Sequence, residues 1–353
     1  MTLLVCIIVL AIIFDFINGF HDAANSIATI VTTRVLTPFQ AVLWAASFNF
    51  AALFIAKYII GEFGIANTVS KVVLDNYITL PIIFSGLIAA IVWNLLTWRL
   101  GIPSSSSHTL IGGFAGAAIC AAVCNHGFGH GFDSIHAGVI LKIASFIILA
   151  PLIGLIISSL LTIGVLWAYR KMHAGKAERS FRKLQLVSSG LFSIGHGLND
   201  SQKVMGIIGI AIITFCNKTD FAVPEWIKMN DMHDMHDWIA FMCFAAIGLG
   251  TMMGGWRIVK TMGSKITKVT SLEGVCAETA GALTLFLTEI LKIPVSTTHT
   301  ITGAIMGVGA VKRLSAVRWG ITVNLLWAWL LTIPVSAILA SLIYLLVRNF
   351  IGA

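Results

Sequence analysis

Apolar residues run through this chain in long uninterrupted stretches rather than alternating with polar ones. Leu3 to Phe14, Ala41 to Ala56, Pro81 to Trp98, Ile140 to Ala168 and Trp319 to Val347 are the clearest. Several exceed the roughly 18 residues that cross a bilayer as a helix. Ten such segments follow one another, near 1–33, 38–60, 79–98, 104–124, 136–168, 186–214, 238–256, 272–290, 296–311 and 319–348. The pattern predicts an all-α polytopic membrane protein. No Lys or Arg precedes the first segment, and no small-residue cleavage pattern ends it. It is therefore expected to be a retained helix rather than a signal peptide.

Composition agrees: 58% of the 353 residues are hydrophobic and 11% charged, which excludes an ordinary soluble enzyme. The net charge of +8 does not point to nucleic acid, because the basic residues gather in short connections. Arg170, Lys171, Lys176, Arg179, Arg182 and Lys183 stand against one Glu178 in the expected loop Tyr169 to Lys183, which the positive-inside rule makes cytoplasmic. Arg34, Arg99, the Arg257, Lys260, Lys265, Lys268 stretch and the Lys312, Arg313, Arg318 turn follow it. The acidic connection Asn217 to Asp237 and the N-terminus are then expected outside. The six cysteines show no metal-type spacing and read as buried free thiols.

Two motif pairs recur in order. Gly19-Phe20-His21-Asp22-Ala23-Ala24-Asn25 matches Gly197-Leu198-Asn199-Asp200-Ser201-Gln202-Lys203. Leu96-Thr97-x-x-Leu100-x-Ile102-Pro103-x-Ser105-x-x-His108-Thr109-x-x-Gly112 matches Leu287-Thr288-x-x-Leu291-x-Ile293-Pro294-x-Ser296-x-x-His299-Thr300-x-x-Gly303. Alternating crossings give each half an odd number, so the second half enters the membrane in the opposite sense. The expected organisation is a first transmembrane repeat over 1–168, a basic cytoplasmic linker over 169–185 and an inverted repeat over 186–353. Broken or half helices would meet near the bilayer centre, which points to an alternating-access transporter.

The motif chemistry supports an anion site that needs a co-ion. A Pro followed by Ser104, Ser105, Ser106 and Ser107, or by Ser296, Thr297 and Thr298 after Val295, reads as a helix N-terminus with proline in the first turn. Exposed N–H groups and the helix dipole favour anions there. The alternative is that these hydroxyls cap or pack small-residue helix contacts. Asp22 and Asp200 are intramembrane carboxylates, costly unless functional or paired with a buried base. Hydrogen phosphate offers them an O–H donor, whereas sulfate has none at neutral pH. The remaining repulsion is relieved by a co-transported proton or sodium ion, with Asn25 and Asn199 as oxygen donors. Lys203 replaces the Asn25 of the first half; its ammonium either takes the place of one cation or pairs with Asp200, both shifting coupling toward protons, or it simply neutralises Asp200. Glu278 is a candidate proton relay, and Glu289 is expected to face water near a helix end. His108 and His299 are expected to hydrogen-bond neighbouring helices, a structural or gating role. His126, His130, His136 and the run Asp231 to Asp237 read as solvated loop residues rather than a metal trap.

His21-Asp22-Ala23-Ala24-Asn25-Ser26, Pro103-Ser104-Ser105-Ser106-Ser107-His108-Thr109, Asn199-Asp200-Ser201-Gln202-Lys203 and Pro294-Val295-Ser296-Thr297-Thr298-His299-Thr300 resemble the PiT family of inorganic phosphate transporters over nearly the whole chain. The resemblance implies cation-coupled phosphate uptake across the cell membrane, with phosphate and ions held by these Asp, Asn, Ser and Thr positions, and a homodimer. The Asn-Asp-x-Gln-Lys form is similar to the bacterial low-affinity branch, which implies protons over sodium and neutral metal–phosphate complexes as substrates. Lys203, and Asn49 where many relatives have an acidic residue, depart from the family's commoner pattern. A symporter of sulfate or a related oxyanion is the alternative, and a channel a weaker one. An enzyme is not expected, because the sequence carries no nucleotide loop, metal-spaced triad or cofactor site.

Overall fold

The computed structural model describes residues 1–218 and 223–351. Part of the Asn217 to Asp237 connection and the final residues therefore lie outside the described set. Twelve α-helices follow in order: α1 (Thr2–Thr32), α2 (Pro38–Ile55), α3 (Gly64–Ser70), α4 (Leu80–Leu100), α5 (Ser106–His126), α6 (Ala137–Tyr169), α7 (Ala174–Lys218), α8 (Asp237–Met253), α9 (Trp256–Lys260), α10 (Ser271–Ile290), α11 (Thr297–Lys312) and α12 (Trp319–Ile351). Each of the ten expected segments is a helix. Among the described residues six helices are long and apolar enough to cross a membrane, or seven spans if the bent pair α8–α9 counts as one. The protein is a multi-pass membrane protein with an all-α fold.

Local chemistry explains the ends. Thr37 caps α2 with Gln40 in a capping box behind Pro38, and Thr270 with Glu273 does the same for α10. Two helices break at a left-handed glycine. After α2 a π-helical turn ends at Gly61 (φ 77°) before α3, and after α8 Gly254 (φ 68°) begins a 61° bend. The Gly254–Gly255 pair punctuates the expected seventh segment, and the chain turns back to helix beyond it.

Three expectations change. The basic stretch expected as a loop is mostly helical, because α7 starts at Ala174. At 45 residues α7 is roughly 68 Å long against a hydrocarbon core of about 30 Å, so its basic start projects beyond it. The prolines do not occupy the first helical turn. Pro103 and Pro294 sit two residues ahead of the capping Ser105 and Ser296, whose hydroxyls accept from the His108 and His299 N–H groups at 3.2 Å. Of the cysteines, only Cys243 and Cys276 are buried, and Cys6 is exposed on an outward face; all six are free.

Helix neighbours obey an exchange rule. α5 packs on α12 as α11 packs on α6, α1 on α8 as α7 on α2, α4 on α1 as α10 on α7, and α3 on α7 as α9 on α1. The α5–α12 and α11–α6 contacts are made through glycines. A Cβ at Gly112 would collide with Ser336 Oγ, and one at Gly116 with the Ala337 carbonyl. A Cβ at Gly303 would collide with the Pro151 carbonyl, and one at Gly307 with the Leu155 carbonyl. α6 and α12 each carry a mid-helix proline, Pro151 and Pro334, beside these contacts.

Candidate functional site

α1 and α7 lie against one another and place the two Asp motifs face to face. Asp15, Asn18, Asp22, Asn25 and Thr29 follow each other at three- and four-residue steps, so they share one face of α1. All are buried, as are His196, Asn199, Asp200 and Lys203 on α7. Asp22 lies near Asp200, while Thr29 meets the environment of Gln185 and Ser188 through Glu278. The two motif helices therefore run antiparallel.

The starts of α5 and α11 close on this pair. Thr297 Oγ1 is 3.5 Å from Asp22 Oδ2 and 3.4 Å from Asp200 Oδ2, so one hydroxyl proton is shared between two carboxylates. Asn25 Nδ2 donates to Thr298 Oγ1 at 2.9 Å and Thr297 Oγ1 at 3.3 Å. Thr298 Oγ1 donates to the Ser104 carbonyl at 3.2 Å, and Ser107 Oγ reaches the Val295 carbonyl at 3.5 Å. The two Ser/Thr segments thus touch each other. Ser105 and Ser296 are spent on capping and Ser104 Oγ donates to Thr97 Oγ1 at 2.9 Å, so the Ser106 hydroxyl and the free N–H groups of the two helix starts remain for a ligand. Ser104 through Ser107 and Ser296 through Thr298 are all buried, so the site is closed to both sides.

Lys203 makes the densest contact. Its Nζ donates at 2.6 Å to Asp200 Oδ1, to Ser107 Oγ and to the Val295 carbonyl. Lys203 thus forms a buried ion pair with Asp200. The ammonium also sits among three oxygens, as a metal cation would. Asp22 has a base beside it: His21 Nδ1 lies 2.6 Å from Asp22 Oδ1, and His21 Nε2 faces Thr97 Oγ1 at 3.1 Å and Ser104 Oγ at 3.4 Å. His196 Nε2 is 3.2 Å from Asp200 Oδ2, and its Nδ1 faces Asn49 Oδ1 at 3.1 Å. Ligand atoms of Asp22, His196 and Asp200 all fall within 4.8 Å of one another, a set able to hold a small cation.

Glu278 stands apart from this cluster. Its carboxylate accepts from Thr29 Oγ1 and Ser188 Oγ at 2.5 Å and from Gln185 Nε2 at 3.0 Å, joining α1, α7 and α10. Glu289 does not face water: it is buried and accepts from Gln202 Nε2 at 2.7 Å. The His108 ring nitrogens have no hydrogen-bond partner among the described residues, while the His299 ring lies against the Ile147 backbone of α6. The rings pack at a centroid distance of 5.0 Å, and His299 stacks on Trp329 at 4.0 Å. Trp329 Nε1 in turn donates to the Pro103 carbonyl at 3.0 Å. The amide of Asn199 is buried without a hydrogen-bond partner. In the loops, His130 pairs with Asp133 at 2.9 Å, and Asp231 caps the N–H groups of His233 and Asp234.

Sequence reasoning left out His196, Thr97, Asn18 and Asp15. The His196-x-x-x-Asp200 spacing on one helix was a usable signal for the first. Which residue of another helix would meet it was not.

Buried polar groups from α1, α5, α7 and α11, converging on a closed internal site within a bundle of membrane-spanning helices, define a membrane transporter. The profile of the phosphate transporter family matches residues 18–177 and 167–340, and the chain belongs to that family. It is 49% identical over 347 residues to a "Probable low-affinity inorganic phosphate transporter" of Rhizobium meliloti (strain 1021), covering 97% of this chain and 96% of that one. A protein of the same description from Bacillus subtilis (strain 168) is 40% identical over 350 residues, covering 98% and 97%. A solved structure described as "The sodium-dependent phosphate transporter" superposes with a TM-score of 0.81 at 23% identity, covering 99% of this chain and 100% of that one. That likeness extends the shared fold to the full length.

Proposed function

We propose that this chain imports inorganic phosphate by symport with protons rather than sodium, working by alternating access. Hydrogen phosphate is held between the starts of α5 and α11. The Ser104 to Ser107 and Ser296 to Thr298 segments donate to it, and Asp22 and Asp200 accept its O–H. Lys203 is the observation that carries the choice of co-ion. A fixed ammonium with three oxygen partners at 2.6 Å fills a place that sodium would otherwise need. Proton binding at Asp22, Asp200 and Glu278 then supplies the variable charge, while Asn25 and Asn199 line the route.

Two halves, 1–168 and 186–353, joined by the basic 169–185 segment, are read as inverted repeats. The exchange of helix contacts and the antiparallel run of α1 against α7 support this. Closure of the α5 and α11 starts on the site from either side in turn would give alternating access, with the His108–His299 contact between them. The triad of Asp22, His196 and Asp200 also suits a divalent ion, so a neutral metal–hydrogen phosphate complex is a second form of the substrate. Exposed apolar rows on α6 and α12, such as Leu152, Ile156, Leu160 and Trp327, Leu331, Ile338, are available to lipid or to the second copy of a homodimer.

Labelled phosphate uptake into proteoliposomes tests the reading, with an imposed proton or sodium gradient, with and without magnesium, and with sulfate as competitor. A proton gradient is expected to drive accumulation, and sulfate to compete poorly. Uptake that ignores both gradients would sink symport. Equal competition by sulfate would sink the phosphate assignment in favour of a general oxyanion symporter.

A further inference from the structure

Asp15 is the one acidic residue of α1 that the reading above does not use. It is completely buried, and the neutral Asn18 side chain, one turn on, is the hydrogen-bonding group beside its carboxylate. Asn18 is also buried with its Oδ1 unpartnered. These two residues and Asp22 share a face of α1 at steps of three and four. Asp15 is thus about 10 Å along the helix from Asp22, toward the start of α1. Glu278 is reached at Thr29, an equal distance beyond Asp22 in the other direction.

The surroundings of Asp15 limit what it can bind. α7 brings Asp200 and Lys203 within electrostatic reach, and α8 brings the Cys243 thiol. Lys203 is already held by Asp200, Ser107 and Val295, so it does not ion-pair with Asp15. The rest of this end of α1 is apolar core, with Leu4, Ile7, Ala11 and Phe14 all buried. A carboxylate with only a neutral amide beside it in such a place needs a counter-charge. Sodium wants about six oxygens, whereas Asp15 and Asn18 offer three and Cys243 a soft sulfur. A proton needs one carboxylate oxygen, and the resulting O–H has a free acceptor in Asn18 Oδ1.

We propose that Asp15 is a proton-binding station in series with the central Asp22–Asp200 pair. It takes up the coupling proton on the α1 N-terminal side, on Oδ1 or Oδ2, and passes it as H+ to the central carboxylates. No electrons move, and one carboxylate is freed as the other is neutralised. This rests on the proton-symport reading and extends it to a second carboxyl group.

The test compares two modes of transport in proteoliposomes. One is accumulation of labelled phosphate driven by a proton gradient; the other is exchange of labelled for unlabelled phosphate at equal concentrations without a gradient. Asp15→Asn is expected to cut gradient-driven accumulation by about tenfold or more while exchange stays within about twofold of wild type. Asp15→Glu is expected to restore accumulation, and it keeps the test open should the Asn variant fold poorly. Wild-type accumulation by Asp15→Asn overturns the proposal. So does equal loss of both modes in Asp15→Asn when thermal unfolding matches wild type, because that marks a structural role. A wild-type protein that itself ignores the proton gradient rejects proton symport instead, whatever the variant does.

Discussion

At the residue scale, the site is a balance of a few buried charges. Asp22 and Asp200 approach a shared Thr297 hydroxyl, and each has its own basic neighbour, His21 or the Lys203 ammonium. Asp22→Asn would remove the proposed acceptor for the substrate O–H and the proposed proton site while keeping the side-chain volume. Phosphate uptake is expected to vanish with membrane insertion intact. Wild-type uptake by the variant would remove Asp22 from the mechanism. Lys203→Asn makes the second motif match the first at the Asn25 position and opens the three-oxygen cage. Sodium is expected to stimulate uptake by this variant, and the response to a proton gradient to fall. No sodium response in the same liposome measurement would mean that the ammonium serves only to neutralise Asp200. The motif residues were legible because they are polar in an apolar chain and appear twice. Asp15 and His196 were equally polar, but Asp15 lies outside the duplicated motif. Only the approach of α1, α2 and α7 shows which partners they meet or lack.

At the element scale, both halves rely on the same local devices. α4 ends at Gly101 (φ 67°) and the corresponding turn after α10 has Lys292 (φ 55°), each followed by a bond from Ile102 or Ile293 back to a threonine carbonyl. A Cβ at Gly101 meets nothing nearer than 3.5 Å, so Gly101→Ala pays only the left-handed backbone term. A loss of roughly 1 kcal/mol is expected by thermal or denaturant unfolding, with transport retained. Gly303 is different, because its Cβ would overlap the Pro151 carbonyl. Gly303→Leu is expected to push α11 from α6 and sharply reduce the yield of monodisperse protein in detergent; normal yield would show that this contact can give way. Helix existence was legible from apolar run length. The breaks at Gly61 and Gly254 were less so, because a glycine in an apolar run signals close packing and a turn equally well. The Pro-Ser motifs marked true helix starts, but the cap fell on the third motif residue, where the serine hydroxyl accepts from the histidine N–H three residues ahead.

At the scale of the whole molecule, the exchange of helix contacts and the face-to-face motifs have one geometric consequence. If α1 and α7 are equivalent helices running antiparallel through one bilayer, their starts lie on opposite sides of it. The basic start of α7, with Lys176, Arg179, Arg182 and Lys183, then belongs to the cytoplasm by the positive-inside rule, and the start of α1 to the opposite side. Single cysteines at Thr2 and Lys176, in a background where the six native cysteines are replaced, make this measurable in intact cells with an impermeant maleimide. Thr2→Cys is expected to label from outside, and Lys176→Cys only after the membrane is opened. Labelling of both from the same side would mean an even number of crossings between them. The two Asp motifs could not then be related by inversion, and closing the shared site from either face in turn would lose its structural basis. Opposite labelling leaves a two-fold relation whose axis lies in the membrane plane and passes between Asp22 and Asp200. The same rocking motion that opens one half to the outside would then, by symmetry, open the other half to the inside.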